Sequence, residues 1–273
     1  MVRSIRHCPN RIVFILCIVV IAALAAGIGV PASAVSAPTY VTQWGSYGSG
    51  NGQFHAPFSV AGDGSGNIYV TDVQNNRIQK FTNSGSYVTQ WGSSGTGNSQ
   101  FSTPLCIAVG SNGTVYVTDE LNDRVQVFTS TGAYLNQWGS SGTGNGQFNI
   151  TSGIAVDPSG YVYVADANNA RVQKFTSSGA YMRQWGSYGS GNGSFSSPFG
   201  IAAISGYVYV TDQLNNRVQK FTSSGVYVAQ WGSTGTGNGQ FKNPMGIWVD
   251  GSGYVYITDD VNNRVQKITS SCA

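Results

Sequence analysis

Residues 40–82 read YVTQWGSYGSGNGQFHAPFSVAGDGSGNIYVTDVQNNRIQKFT, and almost everything that follows is this stretch again. Trp44, Trp91, Trp138, Trp185 and Trp231 recur along the chain, spaced by 47, 47, 47 and 46 residues. Asp72, Asp119, Asp166, Asp212 and Asp259 keep step with them, as do Arg77, Arg124, Arg171, Arg217 and Arg264. A fixed period in this range marks a repeat array, so the fold is decided by what one repeat builds.

The third repeat gives the clearest reading. Gly153 to Asp157 is a short apolar strand, and Pro158-Ser159-Gly160 carries turn chemistry, glycine supplying a positive φ. Tyr161 to Ala165 is a β-branched and aromatic strand that ends at Asp166. After the loop Ala167-Asn168-Asn169 comes a third strand, Arg171 to Thr176, and Ser177-Ser178-Gly179 turns into a fourth, Ala180 to Trp185. A glycine-rich loop, Gly186 to Phe195, leads to the next repeat. Four short strands per repeat, linked by hairpins, predict the blades of an all-β propeller. Five copies of the fourth strand and five of the first three occur, starting at Tyr40 and ending at Thr269. The expectation is five four-stranded blades over residues 38–273, with Tyr40–Trp44 joining the last blade as its outer strand and closing the ring. Closure would remove the free sheet edges.

The pattern GIAVD-PSG-YVYVAD-ANNARVQKF resembles the NHL repeat family, and all five repeats fit it. The resemblance implies a propeller used mainly as an interaction domain for proteins, sometimes RNA, with a few lyases and hydrolases on related propellers. Family members are usually six-bladed, so five repeats is a departure.

Residues 1–37 form a separate segment. Arg3, Arg6 and Arg11 precede an apolar run from Ile12 to Val30, and small residues around Ala34 and Ala37 follow. This is the layout of a secretory signal, and the run is also long enough for an N-terminal membrane anchor. Both readings place the repeats outside the cytoplasm, secreted or tethered. The three leader arginines account for the net charge of +3, so the repeats are formally neutral. Nucleic-acid binding needs a basic stripe, which this composition lacks. Of the cysteines, Cys8 and Cys17 lie in the leader. Cys106 and Cys272 are open to a disulfide in an exported protein. The alternative is a packed, apolar Cys106 and a free Cys272.

Each Asp–Arg pair flanks a loop, as Asp72 and Arg77 flank Val73-Gln74-Asn75-Asn76. The reading is five structural ion pairs with Asn side chains bonding the loop backbone. One carboxylate per blade, each beside its own Arg, is a poor supply for calcium, which wants six or more oxygens. The repeats hold one histidine, His55, and one glutamate, Glu120. That falls short of the three or four converging ligands of zinc, so no metal, cofactor or catalytic residue is expected. The GSGNGQF loops do not match a phosphate-binding pattern. Specific function is expected where the copies differ, on the rim carrying Tyr47, Gln74, Glu120, Tyr188, Gln213 and Asp260. Such a rim suits a protein or glycan partner. A propeller enzyme (lyase or lactone hydrolase) and a laterally packing surface component are the rival readings. Asn112, Asn149 and Asn192 stand in Asn-x-Ser/Thr sequons.

Overall fold

The computed structural model describes residues 39–270, and there the repeats fold as five antiparallel sheets arranged as propeller blades. Blade 1 consists of Pro57–Gly62, Asn67–Asp72, Arg77–Thr82 and Tyr87–Trp91, hydrogen-bonded in chain order. Blades 2, 3 and 4 repeat this plan from Pro104 to Trp138, Thr151 to Trp185 and Pro198 to Trp231. The fifth sheet holds Pro244–Val249, Tyr254–Asp259 and Arg264–Thr269. The leader and Cys272 lie outside the described residues. Cys106 is half-buried against the cluster between blades 2 and 3.

The turns form for the reasons the sequence suggests. Asp157 Oδ1 accepts the N–H groups of Ser159 and Tyr161 at 2.9 and 3.0 Å, and Oδ2 accepts the Tyr163 hydroxyl at 2.8 Å. The carboxylate thus ties the turn to the second strand, and Gly160 takes the φ of 84° that the turn requires. In blades 1, 2 and 4 the residues after the second strand wind into a short 3-10 turn, for example Val73–Asn75, which ends on Asn76 in the left-handed region at φ 50°.

The core is a series of junctions between neighbouring blades. Tyr163, Val172 and Trp185 of blade 3 pack against Phe195, Ile201, Val208, Val210 and Phe221 on the blade 4 side. The outer-strand Trp185 reaches Phe221 at 5.9 Å between ring centroids. It lies over Gly225, where a Cβ would come within 2.7 Å of the indole. Each fully buried side chain of this size contributes roughly 1.5–3 kcal/mol. Polar ties repeat at the junctions of blade 1 with 2, 2 with 3 and 4 with 5. Thr71, Thr118 and Thr211 donate their hydroxyls to the Leu105, Ser152 and Met245 carbonyls of the next blade at 2.8–3.0 Å. Asn76, Asp123 and Asn216 accept the next blade's Thr103, Ile150 and Asn243 N–H groups at 2.7–3.1 Å.

One expectation is corrected. Residues 39–46 form no strand, and the fifth sheet has three strands, so Tyr40–Trp44 does not complete it. Trp44 instead packs on blade 1, its ring 6.0 Å from Phe81 and lying over Gly85. The physical reason is that the contact an outer-strand Trp seeks lies on the following blade. Blade 1 supplies that contact whether or not a sheet edge stands behind the strand. The buried clusters among the described residues join blade 1 to 2, 2 to 3, 3 to 4 and 4 to the fifth sheet. The last strand is correspondingly open: Val265 is 48% exposed, whereas Val172 and Val218 are fully buried.

Candidate functional site

The rim is built on the Asp–Arg pairs. In blade 3, Arg171 Nε meets Asp166 Oδ2 at 2.7 Å, and Asp166 is fully buried. The same oxygen accepts Asn169 and Gln173, while Oδ1 accepts the Asn149 N–H at 2.8 Å. The far nitrogens of Arg171 donate to the carbonyls of Thr143, Gly144 and Gln147 at 2.7–2.8 Å, and Asn169 donates to Gly142 at 2.8 Å. The glycine-rich loop entering the blade is therefore wrapped around a planar guanidinium whose fork fixes several carbonyl directions at once. All five pairs form at 2.7–2.8 Å.

These carboxylates are committed inward, with both oxygens accepting. Burial pushes the Asp119 and Asp166 carboxyls above the ordinary value, against the donors that surround them. In the more open fifth sheet burial acts the same way, but the donors Lys242 N–H, Asn262, Arg264 and Gln266 outweigh it. They hold Asp259 below the usual carboxylate range. Among the described residues no group of three or more His, Cys, Asp and Glu side chains gathers as a metal site would require.

What the clamped loops leave outward is the rim. Tyr47 and Tyr188, at matching positions of two entry loops, are 79% and 83% exposed. The Tyr47 ring stands edge-on to His55, 5.0 Å between centroids. Gln74 is exposed on its 3-10 turn. Glu120, Gln213 and Asp260 stand one position earlier in their turns and are half-buried, so the four side chains do not form one ring. Gln213 accepts the Ser197 hydroxyl at 3.1 Å, and Asp260 accepts from Asn243 at 3.0 Å. Burial, reinforced by Asp123, pushes the Glu120 carboxyl up to about 7.

The residues that match Gln74 in register are Leu121, Asn168, Leu214 and Val261. Leu121, Leu214 and Val261 are exposed apolar side chains at turn apices. The sequence carried a usable signal for them: an apolar residue in a loop between two fixed polar positions, Asp and Asn, has no sheet face to bury against. The rim thus mixes tyrosine, amide and aliphatic groups. Inside the ring, the first strands of all five blades line a central cavity of about 540 Å³ whose walls include Phe58, Ile107, Ile154, Phe199 and Trp248. Phe58 and Phe199 meet edge to face across it at 6.0 Å.

The NHL repeat family model matches residues 101–128 and 148–175, the stretches running from the entry-loop phenylalanine to the third strand of blades 2 and 3. No curated protein sequence matches the chain. Among solved structures, it is similar to a streptogramin B lyase, with 18% identity, a TM-score of 0.61, and coverage of 78% of this chain and 65% of that one. It is similar also to a catalytically inactive histidine-to-alanine variant of virginiamycin B lyase from Staphylococcus aureus with quinupristin, at 19% identity and TM-score 0.59, covering 78% and 66%. A chain of a nidogen/laminin complex matches with 17% identity and TM-score 0.57, covering 78% and 80%. The chain spans about two thirds of the length of the lyases, and at these identities the likeness is one of fold. Five blades of one pattern, two of them matched by the family model, make this chain an NHL-repeat β-propeller.

Proposed function

We propose that the propeller is a non-catalytic binding and scaffold domain, working outside the cytoplasm, that engages a protein or glycan through its loop-bearing rim. The observation that carries this reading is the pairing of exposure with rigidity. Tyr47 and Tyr188 stand almost fully in solvent, on loops whose carbonyls are held by buried arginines. Tyrosines presented this way offer contact area at little cost in conformational entropy. The export reading supports the same role, since the leader places the domain where surface proteins and glycans are met.

The test is a binding screen of the purified chain against glycan arrays and envelope proteins. The expected result is a saturable partner whose affinity falls about tenfold or more on Tyr47→Ala plus Tyr188→Ala. Binding that survives both substitutions overturns the rim assignment. The lyase likeness supplies a second reading. Described residues include one histidine, His55, whose ring lies against Tyr47 and whose backbone N–H is bonded to Asp72. Turnover of a streptogramin B substrate by the purified chain, lost on His55→Ala, would establish the enzyme reading instead.

A further inference from the structure

We infer that the free flank of the fifth blade is a self-recognition surface: it takes up blade 1 of a second copy, whose Tyr40–Trp44 becomes the missing outer strand. The chain contains four blade-to-blade junctions of one design, and they define what each half of a junction needs. Among the described residues the fifth sheet displays one half without a neighbouring blade, and blade 1 displays the other.

On the fifth sheet, Val265 takes the place of Val172 and Val218, yet is open to solvent. Thr258 corresponds to Thr71, Thr118 and Thr211, which donate across three of the four junctions, and here its hydroxyl bonds to Gly246 of its own sheet. Asn263 corresponds to Asn76, Asp123 and Asn216, which accept an N–H from the next blade. Here its amide turns back to the Val261 carbonyl at 3.3 Å. Lys174 and Lys267 lie alike over the Tyr161 and Tyr254 rings of their own sheets, 4.0 and 3.9 Å from the centroids, and Lys174 in addition donates to the Ser223 carbonyl of the next blade.

Blade 1 holds the complement already assembled. Phe54 and Trp44 lie 5.6 and 6.0 Å from Phe81, as Phe195 and Trp185 lie 5.5 and 5.9 Å from Phe221. Trp44 therefore occupies the place of an outer-strand Trp from a preceding blade, and Tyr40–Trp44 repeats the sequence of Tyr87–Trp91. Among the described residues, Tyr40–Trp44 pairs with no sheet and the fifth sheet has no fourth strand. Two copies satisfy both, head to tail, by a heterologous contact that adds a strand to an open edge. The register follows from blade 4, where Val218 faces Trp231 and Gln219 faces Gln230. Val265 would face Trp44, and Gln266 would face Gln43, of the other copy.

Sedimentation velocity of the purified full chain over a wide concentration range is expected to show self-association. Val265→Asp, at a side chain exposed in the single copy, is expected to leave the far-UV spectrum unchanged and weaken association about tenfold or more. Association driven by the leader alone would be indifferent to this substitution and would overturn the proposal, as would a chain that stays monomeric throughout. A second arm mixes Gln43→Cys and Gln266→Cys variants under oxidation. A covalent dimer linked through positions 43 and 266, identified by peptide mass mapping, is the expected product. No such link in the mixture, or a double variant that forms the link only within one chain, would overturn it.

Discussion

Arg171 and Asp166 meet at 2.7 Å with the carboxylate fully buried, and the guanidinium spends its remaining donors on three carbonyls of the loop entering the blade and on the Gln184 side-chain oxygen. The pair is thus a loop holder as much as an ion pair, and its worth depends on how completely water is kept out. In blade 3 the Arg171 side chain is 6% exposed, while Arg264 in the fifth sheet is 28% exposed.

Removing the arginine leaves a buried carboxylate without its counter-charge, and such a cut is strongly destabilising. Arg171→Ala is expected to lower unfolding stability by about 3–5 kcal/mol. Arg264→Ala, where water replaces part of the lost contact, is expected to cost less, about 1–2 kcal/mol. Urea titrations of the two variants check the ranking, and equal losses would remove the burial argument.

Gly225 and Gly160 have the same φ of 84°, yet only Gly225 lies under a tryptophan. An alanine at Gly160 meets nothing within 4 Å, so Gly160→Ala should cost only the left-handed backbone penalty, about 1–2 kcal/mol. At Gly225 the same methyl would lie 2.7 Å from Trp185, and blade 4 must move away from blade 3 to admit it. Gly225→Ala is expected to cost about 1–3 kcal/mol beyond that penalty, with a shift in tryptophan fluorescence that Gly160→Ala lacks.

Glu120 titrates near neutrality because burial and Asp123 disfavour its charge, pushing it to about 7. Its folded value lies above its ordinary one, so the folded chain binds the extra proton between about 4.5 and 7. Stability from this group is full at the low end of that window and is lost as pH rises through it. Glu120→Gln is therefore expected to be more stable than the parent at pH 8, by no more than about 2 kcal/mol given the side chain's partial exposure. The two should converge near pH 4.5. A constant difference across the range would mean that the carboxyl is not the source.

Asp259 runs the other way, its carboxyl being held below the usual range. It contributes stability above its ordinary value that is lost as pH falls through the folded one. Acidification should therefore open the fifth sheet before blades 2 and 3, where burial holds Asp119 and Asp166 above the ordinary value. Hydrogen exchange at Arg264–Thr269, compared with Arg171–Phe175 at falling pH, reads this directly. Uniform loss of protection would contradict it.

The sequence by itself determined the repeat, the four-strand blade, the turns and the Asp–Arg pairing. Each of these rests on interactions within one period, where a glycine, an Asp or an alternating strand sits at a fixed spacing from its partner. It did not place the rim side chains. Gln74 and Glu120 look equivalent in a loop read as polar, but one turn position sends Gln74 to solvent and leaves Glu120 half-buried beside Asp123. The fate of Tyr40–Trp44 was beyond it as well. An outer strand has two demands: a sheet edge to pair with, and a following blade for its Trp to cover. A linear pattern cannot say whether both are met in one place. Only the curvature accumulated over successive packed junctions decides whether the last blade reaches the first. In this molecule Trp44 settles on Phe81, while the fifth sheet has three strands among the described residues.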